Sequence, residues 1–241
     1  INFLIPSNNS LKIRFICYIK NVPFNFYNDD LTGIKVYFGR NEVKEINFIK
    51  NNSPDKSVFI DIGANMGLYT QNIAFLNSPN RKIKIISIEP NPINIDRLKK
   101  NITLLTNKIK NIKKLVKIIN CAVDKDNYKK KLDFSNGLAN GYISSDKSNK
   151  NTITVNCKKL YDIIKEENIK YITNLKIDIE GHEDRALIPF FNSSKKSLFP
   201  KNILLEHSSN KLWKKDLIKF LFKKGYKVVF KNKSNLALTL N

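Results

Sequence analysis

Residues Ser57 to Thr70 read SVFIDIGANMGLYT. An apolar run ends on Asp61, and Gly63 and Gly67 then bracket Ala64, Asn65 and Met66. The run VFIDI suits a strand buried on both faces, and Met66 to Leu76 reads as a helix. The chain must turn sharply between them. Glycine supplies the backbone freedom such a turn needs, and its missing Cβ lets a ligand approach the main chain. Asn65 tolerates a left-handed conformation there better than most residues.

The alternation continues outward. KIISIE is a second strand, Pro92 to Leu105 a helix opened by proline, and VKIINCAV a third strand. Lys158 to Glu167 and Glu183 to Phe191 read as helices flanking a fourth strand, NLKIDIE. NILLEH is a fifth strand, Leu212 to Lys224 a helix, and YKVVF with LALTL a closing hairpin. This pattern predicts an α/β fold: a doubly wound, Rossmann-like sheet, mainly parallel, with an antiparallel C-terminal hairpin. Such sheets bind ligands beyond the carboxyl ends of their strands, at the switch point. Residues 124–157 read as hairpin-like excursions, KLDF, YIS and TITVN, with a polar loop. Before the main domain, 51–241, residues 1–50 form an extension of edge strands (KIRFICYIK, GIKVYFG) and a helix around EVKEINFIK.

The 241 residues are 41% hydrophobic, as expected of a globular chain, and no apolar run approaches the roughly 20 residues of a membrane span. No secretory-signal pattern opens the sequence. Cys17, Cys121 and Cys157 form no CxxC unit and no metal-like cluster with His182 and His207, which points to a reducing, cytoplasmic compartment. The net charge of +22 suggests an anionic partner. It is carried almost wholly by lysine, however, with arginine only at 14, 40, 81, 97 and 185. Arginine is the better reader of phosphates and bases, so a dedicated nucleic-acid surface is not expected; an acidic or phosphorylated partner stays open.

The turn after Asp61 matches neither phosphate-cradling motif. A G-x-G-x-x-G fingerprint fails at Asn65 and Leu68, and Gly67 is followed by Leu68 and Tyr69 rather than Lys and Ser/Thr. What remains is D-x-G-x-x-x-G, whose aspartate suits an ammonium group, while Glu89, ending the second strand, can accept both hydroxyls of a ribose. S-adenosylmethionine carries both features.

The segments VFIDIGANMGLYT, IEPNP, INCAVDKD and LKIDIEGHEDRAL, in this order from about Ser57 to His207, resemble the FkbM family of S-adenosylmethionine-dependent methyltransferases. IEPNP together with KIDIEGHE is the more specific part. The resemblance implies a class I methyltransferase fold. It implies that Asp61, Gly63, Ala64, Asn65 and Gly67 line the methionine end of the cofactor, with Tyr69 and Thr70 near its carboxylate. Glu89 would hold the ribose, Pro90 and Asn91 would lie beside the adenine, and Cys121, Ala122 and Val123 would complete the adenine slot. Cys121 also reads simply as a small buried hydrophobe.

Methyl transfer to an alcohol benefits from a base. The candidates are Asp178, Glu180, His182 and Glu183 at the fourth strand's end, and Glu206 and His207 at the fifth's. Asp178, which ends a buried strand, is the first choice; His207 as base and His182 as substrate contact stay open beside it. Glu183 reads equally as a helix-start acid. The loop Ser135 to Ser144 suits hydrogen bonding to a polyhydroxylated acceptor, or is a solvated turn. The resemblance implies a small-molecule or glycan hydroxyl as acceptor. An RNA methyltransferase and a catalytically silent cofactor-binding protein are the alternatives, and no metal-ligand spacing is visible.

Overall fold

The computed structural model describes residues 14–19, 21–27, 42–133, 142–143 and 152–241. Its main sheet has seven strands in the order β12-β13-β11-β10-β3-β4-β5. β3 (Val58–Ile62), β4 (Lys84–Ile88), β5 (Val116–Ile119), β10 (Asn174–Ile177) and β11 (Asn202–Glu206) run parallel, and β12 (Tyr226–Lys231) and β13 (Asn235–Leu240) close one edge antiparallel. The chain builds from β3 toward β5, then crosses back to begin β10 on β3's other side. The switch point therefore lies between β3 and β10, with the first glycine turn directly above it.

Every residue of VFIDI is buried, as a central strand requires. Ile60, Ile62, Leu175 and Ile177 pack on one face with α5 (Leu160–Glu166), α6 (Glu183–Ser193) and α7 (Leu217–Lys223). The other face gathers Phe59, Ile85 and Leu204 with α1 (Val43–Asn51), α2 (Leu68–Ala74) and α3 (Pro92–Thr103). α3 starts as its sequence dictates: Pro92 occupies the first turn and the Asn91 side chain accepts from Ile93 N at 2.9 Å. A short α4 (Ile112–Leu115) precedes β5.

Several sequence expectations shift. VKIINCAV is two strands, because the chain turns at Asn120, whose side-chain amide donates to the carbonyls of Glu89 (3.0 Å) and Pro90 (2.8 Å). β6 (Ala122–Val123) then leaves the main sheet and pairs with β9 (Thr152–Lys158). With β7 (Tyr128–Asp133) and β8 (Tyr142–Ile143) it forms a separate four-stranded sheet, which absorbs the expected hairpin-like excursions. The expected helix from Leu212 begins only at Leu217. Asp216 caps it, accepting from Lys219 N at 2.9 Å, and a separate 3-10 turn covers Asn210–Leu212.

At the N-terminal end the strands are not edges of the main sheet. β1 (Arg14–Ile19) and β2 (Val22–Tyr27), the latter not anticipated, pair as their own hairpin. β2 inserts Phe24 and Phe26 into the α1–α3 core, and Asn101 on α3 bonds both the amide (2.7 Å) and the carbonyl (3.2 Å) of Asn25. The expected strand GIKVYFG and most of the Ser135–Ser144 loop lie outside the described residues.

Candidate active site

The parallel register aligns Ile62, Ile88, Ile119, Ile177 and Leu205. The residues that follow them, Gly63, Glu89, Asn120, Asp178 and Glu206, therefore form one row along the sheet's upper edge. Three of the five are acids. Strand pairing alone brings together the carboxylates that the sequence scatters over more than a hundred residues.

The first turn is held from both sides. The amides of Gly63 and Ala64 donate to Ile88 O, each at 3.0 Å. Gly63 (φ +72°), Asn65 (φ +50°) and Gly67 (φ +93°) are all left-handed, as the sequence requires of such a turn. The glycines have a second purpose that the sequence did not show. A Cβ on Gly63 would sit 1.9 Å from the Asp178 carbonyl oxygen, and one on Gly67 would sit 2.2 Å from Leu98 Cδ1. They let β10 and α3 close on the turn, before any ligand is considered.

Glu89 ties this turn to the next. One carboxylate oxygen accepts from Asn65 N at 2.9 Å, and the other from Asn91 N at 2.9 Å and Asn94 Nδ2 at 3.4 Å. Burial raises its pKa, and the two amides oppose that rise. Its oxygens are thus oriented by the backbone of the turns that follow β3 and β4. Asn120, which sequence reasoning did not single out, fixes the same turn through the Glu89 and Pro90 carbonyls.

Asp61 is fully buried and is not a bare anion. One oxygen accepts from Thr70 N (3.1 Å) and Thr70 Oγ1 (2.7 Å), and Thr70 Oγ1 also meets Ser87. The other has no hydrogen bond among the described residues, but lies 3.7 Å from Lys176 Nζ. Burial raises the Asp61 pKa more than Lys176 and Thr70 lower it. Lys176 Nζ also donates to Gly63 O at 2.8 Å, lies 3.9 Å from Asp178 and sits 5.4 Å from the centre of the Tyr69 ring. Burial by itself would lower its pKa; Asp178, Asp61, Glu42 and Glu89 more than reverse this and hold it above the ordinary value. One lysine thus neutralises part of a pocket of acids. It was missed in the sequence, although a lysine between Leu175 and Ile177 in a buried strand signals a charged partner in the next strand.

Tyr69 and Thr70, expected at the cofactor's carboxylate, are buried with their polar atoms engaged: Thr70 on Asp61, and the Tyr69 hydroxyl on the Glu42 carboxylate. The residues left partly exposed around the edge are Gly63, Asn65, Pro90, Ala122, Asp178, Glu180 and His182, while Ala64, Gly67, Asn91, Cys121 and Val123 lie behind them. Burial pushes the Cys121 thiol up to about 12, which suits its reading as a small hydrophobe.

Beyond β10 the chain makes a tight turn through Glu180 (φ +54°) and Gly181 (φ +90°). A left-handed glutamate is uncommon and is held here by its surroundings. Glu183, fully buried, accepts from Ile179 N (2.9 Å) and Gly181 N (3.2 Å) and takes Trp213 Nε1 at 2.7 Å. Of its two readings, the structure supports the helix-start clamp. Glu180 is half-buried, and burial, then Asp178, Glu206 and Glu183, raise its pKa to about 7. Asp178 is more open, its side chain 39% exposed. His207 is buried beside the β13 edge, its amide on Ser234 O at 2.8 Å and its Nε2 without a hydrogen bond among the described residues. Burial and Arg185 lower the pKa of His182. No cluster of three metal-ligating side chains occurs among the described residues.

A seven-stranded sheet with this strand order is the Rossmann-like fold of class I methyltransferases. The family model described as the methyltransferase FkbM domain matches residues 61–228, and the chain belongs to that family. Family and fold imply S-adenosylmethionine as the group that such a domain binds. The FkbM methyltransferase from Methylobacillus flagellatus KT superposes with a TM-score of 0.54 at 16% identity, over 79% of this chain and 44% of that one. This chain thus spans less than half of that protein's length. Precorrin-6y C5,15-methyltransferase from Geobacter metallireducens GS-15 gives a TM-score of 0.46 at 15% identity, over 82% and 86% of the two chains. A methyltransferase from Geobacter sulfurreducens gives 0.48 at 10%, over 87% and 85%. At 16% identity the likeness to the FkbM methyltransferase from Methylobacillus flagellatus KT concerns the fold alone. No curated protein matches the sequence. Among the described residues no helix is long and apolar enough to cross a membrane.

Proposed function

We propose that the protein transfers a methyl group from S-adenosylmethionine to a hydroxyl oxygen of a sugar, glycan or related small metabolite, with Glu180 as the base. The observation that carries this reading is Glu180 itself, a carboxylate beside the switch point whose pKa is raised to about 7. An alcohol does not need full deprotonation before attack; it needs a base that takes its proton as the new bond forms. A carboxylate titrating near neutrality does this better than an ordinary one.

The residues present fit the cofactor. Glu89 has both oxygens oriented by backbone amides, and Oε2, which accepts from Asn65 N alone, keeps a lone pair for a ribose hydroxyl. The acids around the cleft, Asp178, Glu180 and Glu206, favour a cationic ligand, with Lys176 tempering their sum. When bound, the cofactor supplies an already activated methyl electrophile. The chain's task is to orient and deprotonate the acceptor. The acceptor O–H proton goes to the Glu180 carboxylate, Asp178 faces the same space as a hydrogen-bond acceptor, and the Glu183 clamp keeps the Ile179–Gly181 turn in place. His182 and His207 serve as substrate contacts rather than as base.

We assign this chemistry to residues 51–241, with 1–50 as an extension, and the free cysteines support a reducing, cytoplasmic setting. The test is methyl transfer from radiolabelled S-adenosylmethionine to a pool of glycans and sugar metabolites, with total RNA as the parallel substrate. Label in the sugar pool is expected. Label in RNA alone would overturn the acceptor assignment.

A further inference from the structure

Asp61, the acid that the sequence offers to an ammonium group, has no exposed surface, and its oxygens face Thr70 and Lys176 inside the protein. A cationic group entering the cleft from solvent needs another carboxylate, one that keeps a free oxygen at the rim. Glu42, outside the residues 61–228 matched by the family model, is placed to supply it. α1 runs along the sheet toward the start of β3: just past its end, Asn52 O accepts from Asn174 Nδ2 at the foot of β10 (2.9 Å). Its nine residues rise about 14 Å, close to the about 17 Å of the five-residue β3. The helix start, where Ile46 N donates to Glu42 O at 2.8 Å, therefore stands at the strand tips. α1 is fixed there, since Ile46 and Ile49 are buried and Lys50 Nζ donates to Asn72 Oδ1 on α2 at 3.0 Å.

A chain of contacts ties the Glu42 carboxylate to the glycine turn. One oxygen accepts from the hydroxyl of Tyr69, the second residue of α2 after Gly67. Lys176 Nζ lies 5.4 Å from the centre of the Tyr69 ring and donates to Gly63 O at 2.8 Å. No described residue donates to the other Glu42 oxygen, and the residue is exposed. Tyr69, only 5% exposed, thus fixes the direction of the carboxylate while leaving that oxygen to a ligand. Lys176 does not cancel the site. Its side chain is buried, and it is one cation facing Asp178, Asp61, Glu42 and Glu89. The balance of charge around the turn favours a second cation.

We propose that the free oxygen of Glu42 accepts the α-ammonium of S-adenosylmethionine, so that the segment before the main domain completes the cofactor site. This rests on the reading of S-adenosylmethionine as the bound group, and it gives the methionine end the acid that Asp61 does not supply. The test is calorimetric titration of wild type, Glu42→Gln and Asp55→Asn with S-adenosylhomocysteine and with its deamino analogue, in which hydrogen replaces the α-ammonium. The glutamine can keep the Tyr69 bond through its carbonyl but turns an amide donor toward the ammonium. Glu42→Gln should therefore bind S-adenosylhomocysteine about tenfold more weakly, which corresponds to about 1.4 kcal/mol, and the deamino analogue within about twofold of wild type. Asp55→Asn, which removes an exposed acid before β3 at the opposite end of the strands, should change neither. A thermal melt of each variant checks folding, and the two ligands separate a lost contact from a distorted site, which would weaken both. Equal affinity of wild type and Glu42→Gln for S-adenosylhomocysteine overturns the proposal, as does an equal loss for both ligands, or an equal loss in Asp55→Asn. A wild type that binds neither ligand overturns the cofactor reading and the proposal with it. Wild-type binding that Glu42→Gln does not weaken overturns the proposal alone, so the two failures are distinguishable.

Discussion

Replacing Lys176 by methionine keeps a long side chain beside Tyr69 but removes the cation that the described residues place next to Asp61. Asp61 is fully buried, and the oxygen facing Lys176 has no hydrogen bond. Without the lysine it must stay charged and unpaired or take up a proton. Breaking a buried pair from one side costs about 3–5 kcal/mol. The proton route gives a similar figure: neutralising the carboxyl at pH 7 costs about 1.4 kcal/mol for each unit above its ordinary value of 3.8, or about 4 kcal/mol. In urea, with an m value of about 3 kcal/mol/M, the midpoint should fall by roughly 1–2 M. The pH dependence has a definite sign. Burial raises the folded-state pKa of Asp61 above its unfolded value, so protonation favours the fold at low pH and this contribution is lost as pH rises through the folded pKa. The Lys176→Met deficit should therefore be smaller at pH 5 than at pH 8. Adding Asp61→Asn removes the unpaired charge and should recover at least half of the loss. A deficit under about 1 kcal/mol at pH 7, or a double variant no more stable than Lys176→Met, would refute the pairing.

Glu180→Gln should lower the methyl-transfer rate by about 100-fold or more while leaving S-adenosylhomocysteine affinity within about twofold. In the wild type, the base must be ionised to act, so the rate should rise with pH through about 7 and then level off; a flat profile from pH 5 to 8 would count against Glu180. Gly63→Ala should destabilise the protein by roughly 2–5 kcal/mol, since its Cβ would strike the Asp178 carbonyl in a left-handed backbone; a melting temperature equal to wild type would contradict that contact. Glu183→Ala should cost about 1–3 kcal/mol of stability and reduce turnover together, because the amides of Ile179 and Gly181 lose their acceptor; turnover unchanged at lower stability would separate the clamp from the reaction.

The strand tips were readable because the apolar runs leading to Glu89 and Asp178 place those acids on one edge of a parallel sheet, whereas Asp61, one register step earlier, turns out to be buried against Thr70 and Lys176. The glycine turn was readable for its left-handed residues, but not for its purpose: Asp178 and Leu98, which occupy the space beside Gly63 and Gly67, arrive from distant elements. Lys176 and Glu180 were harder for the same reason. A lysine at a strand position acquires its role only when register sets it beside Asp61, and Glu180 becomes a near-neutral acid only through burial among Asp178, Glu206 and Glu183. The break at Asn120 was hidden in an unbroken apolar pattern, since what bends the chain is a side chain bonded to carbonyls thirty residues earlier.

The most direct test is calorimetric titration of the wild-type protein and of Glu89→Gln with S-adenosylhomocysteine. One site per chain in the wild type is expected, with binding weakened at least tenfold in the variant, because an amide has a single acceptor oxygen and cannot take the bonds from both Asn65 N and Asn91 N and also a ribose hydroxyl. No heat from the wild type, or equal affinity in the two proteins, would contradict a nucleoside held at the tips of β3 and β4.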